Sequence, residues 1–294
     1  MNLKKINIFY LAVLLLFATL GAMAQRWNLM YGLIITEVGL VLIPSLIFLF
    51  VNNVKPAAFM RVRRMLLSTV PYVVGITISG WFIAEYIGIL SAFLLSKFIK
   101  LPGQPLPTPK SGVDLALELV IVAGLAAVCE EVMMRGVVLR GYEAKGETFA
   151  IVMSGLMFAM LHLNPSNFFS IWFLGMMLAY IVYRTDSIFS GMIAHFTNNS
   201  VALIIMYLVQ FMSGGGAQAE AGQAVITPDV LLAWSVIVIP FIVLFVFLLR
   251  GFNRQTADVE RTRPDNVYER GGIADYWPLA VTAVIYIVRA AMMS

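Results

Sequence analysis

Charged residues are scarce in this sequence. Of its 294 residues, 12% are charged and 61% are hydrophobic, whereas ordinary soluble domains carry about 25% charged residues. So little charge over this length excludes a soluble globular domain. The composition predicts a polytopic integral membrane protein, with the lipid bilayer as its surroundings.

Cysteine and histidine are nearly absent. The one cysteine, Cys129, excludes an internal disulfide framework, and the two histidines are His162 and His195. The sequence also contains no HExxH motif, which excludes the usual zinc-protease helix. Any chemistry that uses imidazole therefore depends on these two histidines.

Long apolar runs predict an all-α, polytopic transmembrane helical bundle of about eight or nine helices. A spanning helix needs about 20 apolar residues. Three of the runs (148–163, 168–183 and 277–293) are shorter and are compatible with tilted, re-entrant or shielded helices. The runs are 6–24, 28–51, 71–96, 113–134, 148–163, 168–183, 188–211, 229–249 and 277–293.

The distribution of Lys and Arg predicts a cytoplasmic N-terminus. With nine helices, four of the 20 Lys and Arg fall in outside loops and Arg289 falls in the last run, which leaves 15 on the inside. The four outside residues are Arg26, Lys97, Lys100 and Lys110. The first run, with Lys4, Lys5 and a following "AMAQ", also resembles a signal peptide, but an uncleaved helix is favoured.

The basic residues are divided among membrane loops, so they indicate topology and not a nucleic-acid interface. The segment 54–69 is expected at the cytoplasmic surface. We divide the chain into N-terminal helices with this basic cytoplasmic segment (1–111), a central part that contains both histidines (112–210), and C-terminal helices with a basic cytoplasmic loop (211–294).

Ionisable residues inside apolar segments are costly in a membrane and are functional candidates. "CEEVMMRG" ends one apolar run, and His162 and His195 interrupt two others. Residues four apart share a helix face, so Glu131 is expected to pair with Arg135, while Glu130 points about 100° away. His195 and Asn199 share the same spacing, as do Phe158 and His162.

These side chains allow more than one chemistry. A buried glutamate can act as a general base, a histidine can share that role or bind a metal, and a second histidine with an asparagine can stabilise an oxyanion. Glu130, His162 and His195 are also possible zinc ligands with a water in the fourth position.

Three motifs resemble those of one known family. "EEVMMR" fits EExxxR, "FAMLH" fits FxxxH and "HFTNN" fits HxxxN. In this order they resemble the type II CAAX prenyl endopeptidases and their bacterial relatives, also called CPBP or ABI family proteins. The resemblance covers about 112–210.

The resemblance implies an intramembrane endopeptidase, with possible metalloprotease chemistry. Carried over, Glu130 and His162 would activate water, His195 and Asn199 would stabilise the oxyanion, and Glu131 and Arg135 would brace the helix. The helical spacing places Phe158 as a wall of the site beside His162. The substrate would be a membrane-associated or lipidated protein cut near the cytoplasmic face. If the protein is bacterial, its membrane would be the plasma or inner membrane. Zinc remains possible as a cofactor.

Two other functions remain open. One is a proton-coupled carrier in which Glu130, His162 and His195 relay protons. The other is a non-catalytic binding or immunity protein, since bacterial relatives are linked to bacteriocin self-immunity. Cys129 is expected to be a small buried apolar residue and not a nucleophile.

Overall fold

The structure is a computed structural model that describes residues 2–98, 108–213, 226–262 and 272–293. Within these ranges every regular element is a helix, and eight helices are long and apolar enough to cross a membrane. The nine main helices are α1 (Leu3–Trp27), α2 (Leu29–Val51), α3 (Leu67–Leu95), α4 (Gly112–Lys145), α5 (Glu147–Leu161), α6 (Phe168–Thr185), α7 (Ile188–Met212), α8 (Pro228–Gln255) and α9 (Ile273–Met292).

The predicted all-α, multi-pass transmembrane bundle is confirmed. Each of the nine apolar runs corresponds to one helix, and the run 148–163 forms the shortest, α5. The positions assigned to Lys100, Arg263 and Arg270 lie outside the described residues. The three-part division of the chain and the cytoplasmic N-terminus stay predictions.

Polar side chains fix where several helices begin. The side chains of Asn2, Asn28, Ser111 and Thr227 each accept a hydrogen bond from the backbone N–H three residues later. This capping satisfies donors that the first turn of a helix leaves free. Asn28 also separates α1 from α2, since its extended backbone interrupts an otherwise continuous apolar stretch.

α4 and α5 form a helical hairpin that is longer than a membrane core. The 34 residues of α4 extend about 51 Å, against a hydrocarbon core about 30 Å thick. Gly146 turns the chain with φ of 107°, a conformation that L side chains rarely adopt. The surplus length supports a hairpin that is tilted or projects beyond the core.

The two arms of this hairpin bring Glu130 and His162 to one level. Glu130 precedes Lys145 by 15 residues, and His162 follows Glu147 by 15 residues. Each therefore lies about 22 Å from the turn.

The core surrounds the second half of α4. Met133, Met134 and Val137 of α4 are fully buried in one apolar cluster with Ile6 and Tyr10 of α1. The Tyr10 hydroxyl donates to the carbonyl of Met157 on α5 at 2.6 Å, so α1 is fastened to the hairpin. By contrast, α8 is exposed along most of its apolar length, as expected of a surface facing lipid.

Asp186, between α6 and α7, is the centre of a buried ion cluster. Its carboxylate accepts hydrogen bonds from Arg61 Nε at 2.5 Å, Arg63 Nη1 at 2.8 Å, and both the N–H and hydroxyl of Thr262 at 3.1 and 2.6 Å. Arg61 Nη1 also lies 2.7 Å from Glu143 Oε1, an ion pair not aligned as a hydrogen bond. The cluster joins the segment before α3, the start of α7, the end of α4 and the segment after α8.

The position of the Arg61 side chain differs from the one expected for segment 54–69. The segment was expected to lie on the membrane surface, but the Arg61 side chain is only 1% exposed. Its guanidinium is withdrawn from lipid headgroups because two carboxylates bind it inside the protein. Arg63, half-exposed, retains a surface position.

Replacing Asp186 with Asn is expected to destabilise the fold by about 3 kcal/mol, since the buried Arg61 charge then keeps only one of its two carboxylate partners, Glu143. The thermal midpoint of purified protein in detergent measures this loss. Asp229→Asn is the control, because Asp229 is exposed at the start of α8. Equal midpoints for the two variants would contradict a stabilising role for the cluster.

The contribution of Asp186 is expected to depend on pH. Burial acts to raise the pKa of Asp186, but the hydrogen bonds from Thr262 and the charge of Arg61 outweigh burial and lower the pKa below its usual value. The stabilisation is therefore complete above the ordinary aspartate value of about 3.9 and is lost as pH falls below it. The difference in thermal midpoint between wild type and Asp186→Asn, measured from pH 7 downwards, should shrink only in that acidic range. A constant difference would disprove this linkage.

Candidate functional site

The site begins with two consecutive glutamates in the middle of α4. Glu130 is 8% exposed and Glu131 is fully buried. Neighbouring residues on a helix point about 100° apart, so the two carboxyls enter different surroundings. Stretches with wider, π-type turns flank them on both sides (Leu119–Leu125 and Val132–Leu139), a feature often found near functional sites.

Glu131 binds both a cation and a histidine through one oxygen. Its Oε1 lies 2.6 Å from Arg135 Nη1 and 3.0 Å from His195 Nδ1 on α7. Arg135 Nη2 donates in turn to the carbonyl of Gly175 on α6 at 2.9 Å. The predicted Glu131–Arg135 pair is present, and it joins three helices where the sequence indicated only one.

The contact with Glu131 fixes which nitrogen of His195 faces the site. A carboxylate accepts the Nδ1 proton, so in the neutral ring Nε2 is left with its lone pair. Nε2 lies 3.9 Å from Glu130 Oε2. His195 therefore connects the two glutamates, with Glu131 orienting the ring and Glu130 facing its free nitrogen.

His162 shows the same pattern at the end of α5. Its Nδ1 is 2.8 Å from the carbonyl oxygen of Phe158, so the nitrogen donates there and Nε2 is the available atom. His162 follows the last residue of α5, and Leu163 after it has a φ of 49°. The imidazole is partly exposed, whereas His195 is buried.

Phe158 is the common wall of the site. Its ring contacts His162 with centroids 4.6 Å apart and His195 with centroids 5.6 Å apart, both in edge-to-face geometry. The guanidinium carbon of Arg135 lies 4.7 Å from the same ring centroid, a distance at which a cation is attracted to the ring face. Phe158 therefore links the EExxxR, FxxxH and HxxxN motifs.

Asn199 lies one turn beyond His195 on α7. Its amide donates to the carbonyl of Val122 on α4 at 3.0 Å and its side-chain oxygen accepts from Asn198 at 3.0 Å. The Val122 carbonyl belongs to the wider turns that precede the glutamates. In this arrangement one amide N–H is engaged by α4, and the second is available to another acceptor.

Gly191 allows α7 to approach the buried glutamate. A Cβ at this position would collide with Glu131 Oε2 and with Val182 of α6. A side chain here would push α7 away and lengthen the hydrogen bond between Glu131 and His195. This requirement for glycine could not be read from the motifs.

One further carboxyl belongs to this region. Glu37 on α2 is 4% exposed and interacts electrostatically with Glu130. Its presence in an apolar run was the only sequence signal, and Glu85 and Glu118 give the same signal. Only the packing of α2 against α4 distinguishes Glu37 from these two.

The predicted zinc ligands do not assemble as a metal site. Among the residues that the structure describes, no group of three His, Cys, Asp or Glu side chains is arranged to hold a metal ion. The Glu131 carboxylate, which could have joined such a group, is engaged by Arg135 and His195. The residues do not fit the zinc hypothesis, and no reaction step is derived through a metal.

The buried Glu131–Arg135 pair is expected to be strongly coupled. Arg135→Met leaves the Glu131 charge without its main partner inside the protein and should cost about 3 kcal/mol. The double variant Glu131→Gln, Arg135→Met removes both charges and should cost less than the sum of the two single changes. Thermal midpoints give these differences, with exposed Arg289→Met on α9 as the control; additive losses would refute the coupling.

Comparison with known proteins gives one match. Residues 112–201 match the family model described as type II CAAX prenyl endopeptidase Rce1-like, and this segment contains all three motifs. No curated protein and no solved structure matches the chain. Over this segment the chain is therefore similar to the type II CAAX prenyl endopeptidases, and the resemblance predicted from its three motifs is confirmed there.

Proposed function

We propose that this protein is an intramembrane endopeptidase that hydrolyses peptide bonds near the cytoplasmic face of the membrane. One observation carries the proposal. A buried carboxylate, Glu130, faces the free nitrogen of His195, whose other nitrogen is held by Glu131. Such an acid–imidazole arrangement, inside a segment similar to an endopeptidase family, is suited to hydrolysis in a site shielded from lipid by protein.

The general base in this proposal is Glu130, assisted by His162. A carboxylate within hydrogen-bond reach of a bound water can take a proton from it as the water attacks. The Nε2 of His162 has its lone pair free, since Nδ1 donates to Phe158. Water held between these groups loses a proton to Glu130 as its oxygen attacks the carbonyl carbon of the substrate.

His195 and Asn199 stabilise the oxyanion that this attack creates. Nε2 of His195 can donate only when the ring carries both protons, and Glu131 stabilises that imidazolium through its contact with Nδ1. The second amide N–H of Asn199 supplies another donor. When the intermediate collapses, the C–N bond breaks and the leaving amine takes the proton from Glu130.

The substrate class follows from the surroundings of the site. The site is enclosed by transmembrane helices, so the scissile bond must belong to a membrane protein or to a peptide anchored at the membrane. A lipidated protein substrate fits this requirement and agrees with the family match. A bacterial cell would carry such an enzyme in its plasma or inner membrane.

Cleavage is expected to depend on Glu130 and His162 and not on Cys129. General acid–base groups contribute about 100-fold to 10,000-fold to rate, so Glu130→Ala and His162→Ala should abolish detectable cleavage. Cys129→Ala is the matched control, because this residue is buried beside Glu130 among apolar side chains. The measurement is quantitative mass spectrometry of protein termini in membranes of cells that express each variant.

The same experiment separates the other candidate functions. If no protein changes its termini between wild type and Glu130→Ala, the endopeptidase proposal fails. Uptake of a solute that depends on a proton gradient would instead indicate a carrier. A phenotype that survives Glu130→Ala would indicate a protein that acts by binding.

A further inference from the structure

The chain that follows α8 passes across the end of the α4–α5 hairpin. This segment, the α8 tail (256–262), lies outside residues 112–201, which match the endopeptidase family model. Its last residue, Thr262, bonds to residues that are 76 and 122 positions earlier in the chain. Neither the three motifs nor the proposed reaction accounts for these contacts.

Thr262 bonds to two parts of the fold at once. Its hydroxyl and its N–H both donate to Asp186 Oδ2, at 2.6 and 3.1 Å, and its carbonyl accepts from Arg140 Nη1 at 2.8 Å. Asp186 lies between α6 and α7, and Arg140 lies near the end of α4. Both partner side chains are buried, with 2% and 1% exposed. The three polar groups of this one residue therefore join the hairpin to α6 and α7.

Two arginines support the same junction through ion pairs. Arg61 Nη1 lies 2.7 Å from Glu143 Oε1 on α4, and Arg261 Nη1 lies 3.6 Å from Glu147 Oε2 on α5. The first pair is not aligned as a hydrogen bond, and the second is longer than one. The carbonyl of Thr262, by contrast, accepts an aligned hydrogen bond from the hairpin. Such a bond fixes direction as well as distance.

The two parts that Thr262 joins also carry the candidate site. Glu130 and His162 belong to the α4–α5 hairpin, and His195 belongs to α7. The proposed base therefore lies on one part, and the histidine that stabilises the oxyanion lies on the other. Their alignment depends on the angle between the hairpin and α7.

Two attachments at separate points set this angle. Within the site, Glu131 bonds to His195 on α7. Thr262 attaches the hairpin at Arg140, which is ten residues, or about 15 Å, further along α4 than Glu130. One attachment alone would act as a pivot. A second attachment at a distance prevents rotation about the first.

We propose that Thr262 is a positioning residue for the peptidase reaction: it holds the α4–α5 hairpin against α6 and α7, so that Glu130 and His195 stay aligned. Misplacement of reacting groups by about 1 Å can cost about 100-fold in rate, even when the change lies far from the chemistry. The inference rests on the proposed function. It assigns a role in the site to a part of the chain outside the segment that matches the family.

The test compares variants that keep or remove the Thr262 hydroxyl. Thr262→Ser retains the donor to Asp186, whereas Thr262→Val has nearly the same shape without it. With purified protein in lipid nanodiscs and a membrane peptide that the wild type cleaves, Thr262→Val should lower kcat about tenfold to 100-fold and leave KM unchanged. Thr262→Ser should retain kcat within about threefold, because the hydrogen bond is kept.

The matched control is Thr282→Val on α9, which removes a buried hydroxyl that donates to a carbonyl of its own helix. This variant should cleave at the wild-type rate. Wild-type kcat in Thr262→Val overturns the proposal, and so does a Thr262→Ser variant as slow as Thr262→Val. If Thr262→Val does not fold, Thr262→Ala replaces it, since the smaller side chain lets water reach the Asp186 carboxylate.

A distance measurement tests the alignment without any substrate. In a Cys129→Ala background, Thr148→Cys on α5 and Phe189→Cys on α7 carry spin labels at exposed positions, one on each part. Electron paramagnetic resonance well below the thermal midpoint gives the distance between the labels. In Thr262→Val the mean distance should differ from that of the wild type by about 1 Å or more, whereas Thr262→Ser should match the wild type.

This measurement separates the inference from the proposed function. An unchanged distance in Thr262→Val overturns the positioning role of Thr262, whatever the activity. If the wild type cleaves no peptide, the proposed function fails, while the distance still decides whether Thr262 aligns the hairpin with α7.

Discussion

The site depends on the buried carboxylate of Glu131. One of its oxygens binds a guanidinium from its own helix and an imidazole from α7, and the guanidinium also reaches a carbonyl of α6. Removing Arg135 would leave the Glu131 charge without a cation inside the protein, and breaking a buried pair in this way is strongly destabilising. The relative positions of α4, α6 and α7 are thus fixed by the same interaction that orients the imidazole of His195.

The fold was largely predictable, because the membrane imposes a simple pattern. Each spanning helix needs a continuous apolar run, and the runs could be read directly. The role of Arg61 could not be predicted from the sequence. A basic residue near a membrane surface can bind lipid headgroups or buried carboxylates equally well. Its partners, Glu143 and Asp186, are distant in sequence and are brought to it by the packing of α4, α6 and α7.

Contacts within one motif of the candidate site could be predicted from the sequence, whereas contacts between motifs on different helices could not. Helical spacing correctly predicted the pair of Glu131 and Arg135, because both residues share one helix face. The link from Glu131 to His195 joins residues 64 positions apart, and no periodicity reports such a contact. Glu37 illustrates the same limit, since three glutamates in apolar runs look alike until the packing of α2 against α4 distinguishes one of them.

The equal arms of the α4–α5 hairpin restrict how this family segment can vary in length. One residue added between Glu130 and Gly146 would shift the glutamate by about 1.5 Å and turn it by about 100°. Glu130 would then no longer lie at the same distance from the turn as His162, and its side chain would no longer face His195. The outer loops can therefore change in length without moving Glu130 or His162, whereas an insertion within either arm requires a compensating change in the other.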